Sequence, residues 1–88
     1  MSTNKTYNGW TNYATWRINL EIFDGFNILD FYPDTEPELH ELAIFLQEYV
    51  EEILEENDNK LAVSYALAFI SYVNWHEIAS HLIGDNNE

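Results

Sequence analysis

The sequence predicts an all-α fold, a compact bundle of four helices that forms one domain over residues 1–88. Apolar residues recur at helical spacing in four segments, and helix-capping residues or glycines separate these segments. The composition is that of a folded chain, since 47% of the residues are hydrophobic and 16% are aromatic. A domain of this size buries a smaller fraction of its surface than a larger domain does, so its core must be dense, and large rings contribute the most buried area per residue.

The first predicted helix covers residues 12–23, and Thr11 or Asn12 is a suitable N-cap. Gly25 follows this helix and favours the left-handed conformation of a C-terminal cap. We expect the helix to bury an apolar stripe against the rest of the bundle, with Trp16 as a core ring. The stripe has helical spacing and consists of Tyr13, Trp16, Leu20 and Phe23.

Tyr7 and Trp10 precede this helix and are separated by an Asn-Gly pair. Asn-Gly favours a tight turn, so we expect the segment to fold back over the bundle with Trp10 pointing inward. Such rings can also stack on bases, but single-strand binders combine them with a basic groove. Only Lys5 and Arg17 lie nearby, and Arg17 is expected to pair with Glu21 one helical turn later. The aromatic cluster is therefore interpreted as part of the fold.

Residues 36–56 show the clearest helical periodicity in the chain. The preceding segment, 26–37, contains two prolines and predicts an extended or turning connection. Thr35 is expected to cap the helix, with Pro37 in its first turn. One face of the helix is a predicted core stripe, which consists of Leu39, Leu42, Leu46, Val50 and Ile53.

The opposite face of this helix is acidic and carries no Lys or Arg. Neighbouring glutamates four residues apart repel each other, at a cost of about 0.2–0.5 kcal/mol per pair. A cost without local compensation indicates a use in binding, and Ile44 is a candidate apolar anchor within the charged face. The predicted partner-binding residues are Glu41, Ile44, Glu48, Glu51, Glu52, Glu55 and Glu56.

Two further helices are predicted after a polar turn. Residues 60–73 are apolar on nearly all sides, which predicts a central helix covered by its neighbours. The last helix, 75–83, is expected to begin after an Asn74 cap, to carry Glu77 in a capping box, and to end at Gly84. Its predicted core face consists of Trp75, Ile78, Ala79 and Leu82.

The charge of the chain restricts its possible partners. Sixteen acidic residues against three basic ones give a net charge of −13 at pH 7. A field of this sign repels nucleic acids and anionic membranes, attracts basic surfaces, and keeps a small protein dispersed. No segment approaches the ~20 apolar residues of a membrane span, and none resembles a signal peptide. We expect a soluble, cytoplasmic protein that binds neither nucleic acid nor membrane directly.

Catalysis and metal binding find little support in the sequence. His76 and His81 are five residues apart, whereas zinc-binding histidine pairs on one helix are four apart. His40 does not stand at a sequence spacing from either histidine that is typical of a third metal ligand. Cysteine is absent, there is no Gly-rich phosphate loop, and no carboxylate pair stands out among so many. We predict no metal site, no cofactor and no enzymatic activity.

The acidic helix suggests a specific use of the charge. Carboxylates four and seven residues apart on a helix are separated by about 6 and 10 Å, which is comparable with the close spacing of phosphates along DNA. A row such as Glu41, Glu48, Glu52 and Glu55 can therefore imitate the phosphates that a DNA-binding groove expects. We treat DNA mimicry as the leading hypothesis.

Two blocks of the sequence resemble a known family. They are YNGWTNYATWRINLEIFDG at residues 7–25 and VNWHEIASHLI at residues 73–83. These blocks are similar to a GWTNYxTW signature and a later WxEIA block in a family of small acidic proteins carried by bacteriophages, plasmids and other mobile elements. The resemblance implies a phage or mobile-element accessory protein that acts in the host cell, and it brings no catalytic residues with it.

Two functional hypotheses follow from the sequence. In the first, the chain is an anti-CRISPR or antirestriction inhibitor that occupies the DNA-binding surface of a CRISPR effector or restriction enzyme subunit. In the second, it is an interaction or adaptor module of phage physiology that docks through aromatic and apolar surface around Tyr7, Trp10 and Phe31, and the acid serves solubility. Either hypothesis allows a homodimer that doubles the acidic surface.

Overall fold

The computed structural model describes the backbone of residues 7–86 and the side chains of residues 7–84. This part of the chain forms four α-helices and no β-strand beyond an isolated bridge, which confirms the predicted all-α fold. A π-helical turn, Asn19–Phe23, extends the first helix, and a 3-10 turn, Ile28–Asp30, precedes the second. The α-helices are α1 (Tyr13–Ile18), α2 (Leu39–Glu55), α3 (Lys60–Ile70) and α4 (Trp75–Asn86).

The core lies between α2 and α4, which share the most extensive helix–helix contact. The predicted core faces of both helices are buried in the middle: Leu42, Leu46 and Val50 on α2, and Trp75, Ile78, Ala79 and Leu82 on α4. Leu39 and Ile53, at the two ends of the predicted α2 stripe, are instead exposed. Within residues 7–84, therefore, only the central turns of α2 are buried in the core, and the two ends of its apolar stripe are exposed.

Helix α1 begins as predicted but buries a different face. The Asn12 side chain caps it by accepting the Thr15 N–H at 2.9 Å. The predicted stripe is wrong at Tyr13 and Leu20, which are exposed, and Trp16 is only half-buried. The buried face consists of Ala14, Thr15 and Ile18. The wider π-helical turn then breaks the 3.6-residue period, and Phe23 returns to the core.

The segment before α1 folds back as predicted. Tyr7 and Trp10 exchange two backbone hydrogen bonds of 2.7 and 2.8 Å, which close a tight turn. Both residues of the turn have positive φ, 50° at Asn8 and 87° at Gly9, as a type I′ turn requires. Trp10 is buried, and its ring stacks on His81 with centroids 4.2 Å apart.

Two predicted helix ends need correction. Helix α2 begins at Leu39, after an extended Glu38, and Thr35 is not its cap. Proline disfavours the helical conformation in the preceding residue, so Pro37, which is buried, keeps Glu36 out of the helix. Helix α4 continues through Gly84 to Asn86 instead of ending there.

Helix α3 is not the central element that its apolar sequence predicts. It ends at Ile70, and Ile70 is its only fully buried residue. Because α2 and α4 pack directly on each other, α3 contacts the rest of the fold along one side and leaves the other side in solvent. An apolar pattern on all sides does not distinguish a covered helix from one with an exposed apolar face.

None of the helices within residues 7–86 has the length and apolarity that crossing a bilayer requires.

Candidate functional site: the acidic face of helix α2

Helix α2 presents most of the predicted partner-binding residues to solvent. The exposed ones are Glu41, Ile44, Glu48, Glu52 and Glu55 on the helix, and Glu56 at its C-cap. Glu51 is half-buried and accepts a hydrogen bond from the Gln47 side chain at 3.1 Å, so it stands at the margin. We call the five exposed carboxylates the acidic face: Glu41, Glu48, Glu52, Glu55 and Glu56.

The acidic face has a regular geometry because a single helix carries nearly all of it. From Glu41 to Glu56 the helix rises about 22 Å, at about 1.5 Å per residue. Five carboxylates over this length give about one charge per 4–5 Å of axis, close to the ~3.4 Å per phosphate of one DNA strand. The face thus has a linear charge density of the same order as a single strand of the duplex.

No cation within residues 7–84 forms an ion pair with the acidic face. The ion pair in this range joins Arg17 to Glu21 in the first helical segment, at 2.7 Å, as predicted. That hydrogen bond, together with one from Arg17 to the Tyr13 hydroxyl at 2.8 Å, raises the pKa of the Arg17 guanidinium. The acidic face therefore keeps its charge free for an external partner.

An aromatic cluster borders the acidic face on one side. Phe45 of α2 packs against Phe31 and Tyr32, with ring centroids 5.3 and 5.7 Å away. Burial, and to a smaller extent the nearby Glu41 charge, raise the pKa of Tyr32. Ile44 lies outside this cover and is 43% exposed, so an apolar side chain remains available within the charged surface.

An open cleft adjoins the C-terminal end of the acidic face. It has a volume of about 470 Å³ and lies between the end of α2 and the side of α3. Glu55 and Lys60 stand on its polar rim, and Val63 and Leu67 supply apolar walls. A side chain from a partner that binds the acidic face can enter this cleft.

A histidine pair joins the N-terminal ends of α2 and α4. His40 Nδ1 and His76 Nε2 are 3.3 Å apart, and the two rings are stacked. Sequence spacing gave no sign of this pair, because the residues lie on different helices. Among residues 7–84 no group of three or more potential metal ligands comes together around it or elsewhere. The pair therefore links two helices, and His40 directly precedes Glu41 of the acidic face.

A polar junction connects the two sequence blocks described above. The Thr11 N–H donates to Glu77 Oε1 at 2.9 Å, the Asn12 side chain donates to the Tyr72 carbonyl at 2.8 Å, and the Asn74 side chain donates to Thr11 Oγ1 at 3.2 Å. Asn74 Oδ1 caps α4 as predicted by accepting the Glu77 N–H at 3.1 Å. Glu77 itself bonds to Thr11 instead of reaching back to Asn74, so the predicted capping box is only half formed.

These blocks therefore act in folding. The polar junction fixes α1 against α4, and Trp10 and Trp75 from the same blocks are buried in the core. The positions that carry the sequence resemblance and the positions of the acidic face are thus separate sets of residues.

Comparisons with known proteins place the chain in a family. The sequence model of a family of unknown function, DUF7249, matches residues 3–87 and so covers nearly the whole chain. No curated protein and no solved structure matches the chain.

Proposed function

The chain belongs to DUF7249, a family of unknown function, and we propose that it acts as a DNA mimic that occupies the basic, DNA-binding surface of another protein. The observation that carries this proposal is the acidic face of α2. It combines a row of carboxylates on one side of a helix, a charge density of the order of one DNA strand, and no ion pair to these carboxylates within the described residues.

The physical chemistry of the acidic face favours a groove that already binds a polyanion. Such a groove is lined with Lys and Arg, so it attracts the face at long range and accelerates association. Ile44 adds an apolar contact in the middle of the charged row, where shielding from water makes a contact most effective. A chain with a net charge of −13 does not compete for the DNA itself.

The partner class that we propose is a host defence protein that holds DNA, either a CRISPR effector or a restriction enzyme subunit. The similarity of the two sequence blocks to proteins of phages and mobile elements supports this choice, because such elements encounter these enzymes in the host cell. The inhibitor would act in the host cytoplasm, without a catalytic step and without a cofactor.

The adaptor hypothesis loses part of its proposed surface. Trp10 is buried beneath the turn and stacked on His81, so it offers no docking side chain. Tyr7 and Phe31 remain partly exposed, but both pack against neighbouring rings of their own chain. All five carboxylates of the acidic face, by contrast, are exposed.

The proposal is tested by affinity capture from nuclease-treated host lysate, with elution in steps of increasing salt and identification of the eluted proteins by mass spectrometry. We expect a DNA-binding defence protein to elute at moderate salt. At physiological ionic strength the attraction between exposed charges is already largely screened beyond about 8–10 Å, and added salt weakens it further. Added DNA fragments should displace the same protein. A captured protein that resists salt and ignores DNA would contradict mimicry.

Charge-reversal variants locate the surface. Glu48→Lys, Glu52→Lys and Glu55→Lys are combined in one chain, and a matched control combines Asp24→Lys, Asp30→Lys and Asp34→Lys, which change the net charge equally outside α2. Circular dichroism and thermal melting verify that both variants are folded. We expect the α2 variant to lose capture and the control to retain most of it. Equal loss in both variants would mean that net charge alone attracts the partner, and retention in both would reject the proposal.

A further inference from the structure

Helix α3 carries an exposed apolar stripe that the acidic face does not include. Leu61 is 65% exposed, Tyr65 is 70% exposed, and Tyr72, just beyond the helix, is 70% exposed. Ala68 is exposed as well. Leu61, Tyr65 and Tyr72 are the most exposed large apolar side chains in the described part of the chain. We call Leu61, Tyr65, Ala68 and Tyr72 the apolar stripe.

The apolar stripe is narrow enough to be covered by a single helix. Its residues are spaced four, three and four apart, the spacing by which two helices pack along a narrow seam. At about 100° per residue Leu61, Tyr65 and Ala68 fall within about 60° of one another, on the side opposite the buried Ile70, and Tyr72 follows in the turn after the helix. The stripe is thus suited to one partner helix.

The surroundings of the stripe are uncharged. Residues 61–76 contain no Asp, Glu, Lys or Arg, although the chain as a whole carries 16 acidic residues. A basic partner is drawn to the acidic face of α2 and gains nothing from this neutral surface. A second copy of the chain is repelled by its own net charge, and α3 is the longer of the two α-helices within residues 7–86 that contain no Asp or Glu, so two copies can approach along it without placing carboxylates in contact.

We propose that two copies of the chain pair through α3, with the two helices antiparallel about a twofold axis. Contacts about such an axis are reciprocal, so each contact between the two stripes occurs twice, once on either side of the axis. Antiparallel pairing sets Tyr65 against Ala68 of the other copy and Leu61 against its Tyr72. Each large ring then faces a smaller side chain, which lets the two helices approach closely.

The area of the stripe fits a weak, reversible dimer. A large aromatic side chain covers about 150–250 Å², so the exposed parts of the two tyrosines and Leu61 sum to about 400 Å² on each copy. Two copies together bury about 800–1,000 Å² with the small residues between them, which is below the range of about 1,200–2,000 Å² for stable interfaces and typical of weak, transient ones. We expect dissociation in the micromolar range or weaker, because the like charge of the two copies opposes pairing.

This pairing goes beyond the proposed function and does not depend on it, since the purified chain alone is sufficient for the test. Sedimentation velocity is measured over about 1 μM to 1 mM protein at low and at high salt. We expect a monomer–dimer equilibrium that shifts toward dimer as salt increases, because screening weakens the repulsion between the copies. Capture by a basic partner has the opposite salt dependence, so the two proposals can fail separately.

Tyr65→Glu is the decisive variant, because it places a charge in the middle of the stripe. We expect it to raise the dissociation constant of the dimer by about tenfold or more. Leu29→Glu is the matched control, since Leu29 is 52% exposed and lies outside α3. Leu61→Glu serves as a second stripe variant if Tyr65→Glu alters the circular dichroism spectrum.

Three outcomes would overturn the pairing. The first is a wild-type chain that remains monomeric over the whole range of concentration and salt. The second is a dimer that tolerates both Tyr65→Glu and Leu61→Glu. The third is equal weakening by Leu29→Glu, which would show that added charge acts through repulsion between whole molecules and not through the stripe.

Discussion

The buried hydroxyl of Thr15 accepts a hydrogen bond of 2.9 Å from the backbone N–H of Asn74, a residue 59 positions later in the chain. The same hydroxyl donates to Asn12 Oδ1 at 2.7 Å, so both of its hydrogen-bonding roles are satisfied without water. Thr15 has no exposed surface, and it is the only fully buried polar side chain among residues 7–84. One oxygen atom therefore connects the cap of α1 to the start of α4.

Thr15→Val should destabilise the protein by about 1–3 kcal/mol, because valine keeps the shape but leaves the buried Asn74 N–H without an acceptor. The free energy of unfolding is measured by urea denaturation. Thr15→Ser is the control, since serine retains the hydroxyl and should cost less than valine. A loss in Thr15→Val no larger than that in Thr15→Ser would contradict the role assigned to the hydroxyl, because only valine removes its hydrogen bonds.

Trp10→Ala should cost more stability than Trp16→Ala. Trp10 is buried and stacked on His81, and removal of a buried ring costs about 3–5 kcal/mol. Trp16 is half-buried and packs mainly against the rings of Tyr7 and Tyr13, so we expect a loss of about 1–2 kcal/mol. The two urea midpoints decide the order, and a larger loss for Trp16→Ala would contradict the burial described here.

Tyr32 should make stability depend on pH in the alkaline range. Burial, helped by the Glu41 charge, raises its pKa in the folded state above the ordinary value of 10.0. The folded state thus favours the neutral phenol, and this contribution is complete below pH ~10 and is lost as pH rises through the folded pKa. Tyr32→Phe should therefore show a smaller decline in unfolding free energy above pH ~10 than the wild type.

A direct titration checks the same assignment. The ultraviolet absorbance of phenolate is recorded against pH for the wild type and for Tyr32→Phe, and the difference between the curves gives the titration of Tyr32. A difference curve centred at or below pH 10 would contradict the raised pKa. Glu41→Gln removes the smaller of the two causes and should shift the curve slightly to lower pH.

Local signals were sufficient to predict the N-caps of α1 and α4 and the exposure of the acidic face. Asn12 and Asn74 each bond to a backbone N–H three residues later, so neighbouring residues determine them. The acidic face follows from the period of one long helix, in which Leu42, Leu46 and Val50 fix the buried side and hence the exposed one.

Distant contacts determined what the sequence did not predict. The buried face of α1 depends on the bond between Thr15 and Asn74, and no pattern within residues 12–23 contains that information. The exposure of Tyr65 depends on α2 and α4 packing on each other without α3 between them. The pairing of His40 with His76 likewise requires the relative position of two helices.

The polar junction imposes an order on folding during synthesis. The ribosome makes Thr11 and Thr15 before their partners Glu77 and Asn74, which lie 66 and 59 positions later in the chain. A nascent chain that stops before residue 74 leaves α1, six residues long, without its tertiary bonds, and a helix this short does not persist alone in water. The domain therefore completes its fold only after residue 77 has been made, and products truncated before that residue should be readily degraded by proteases.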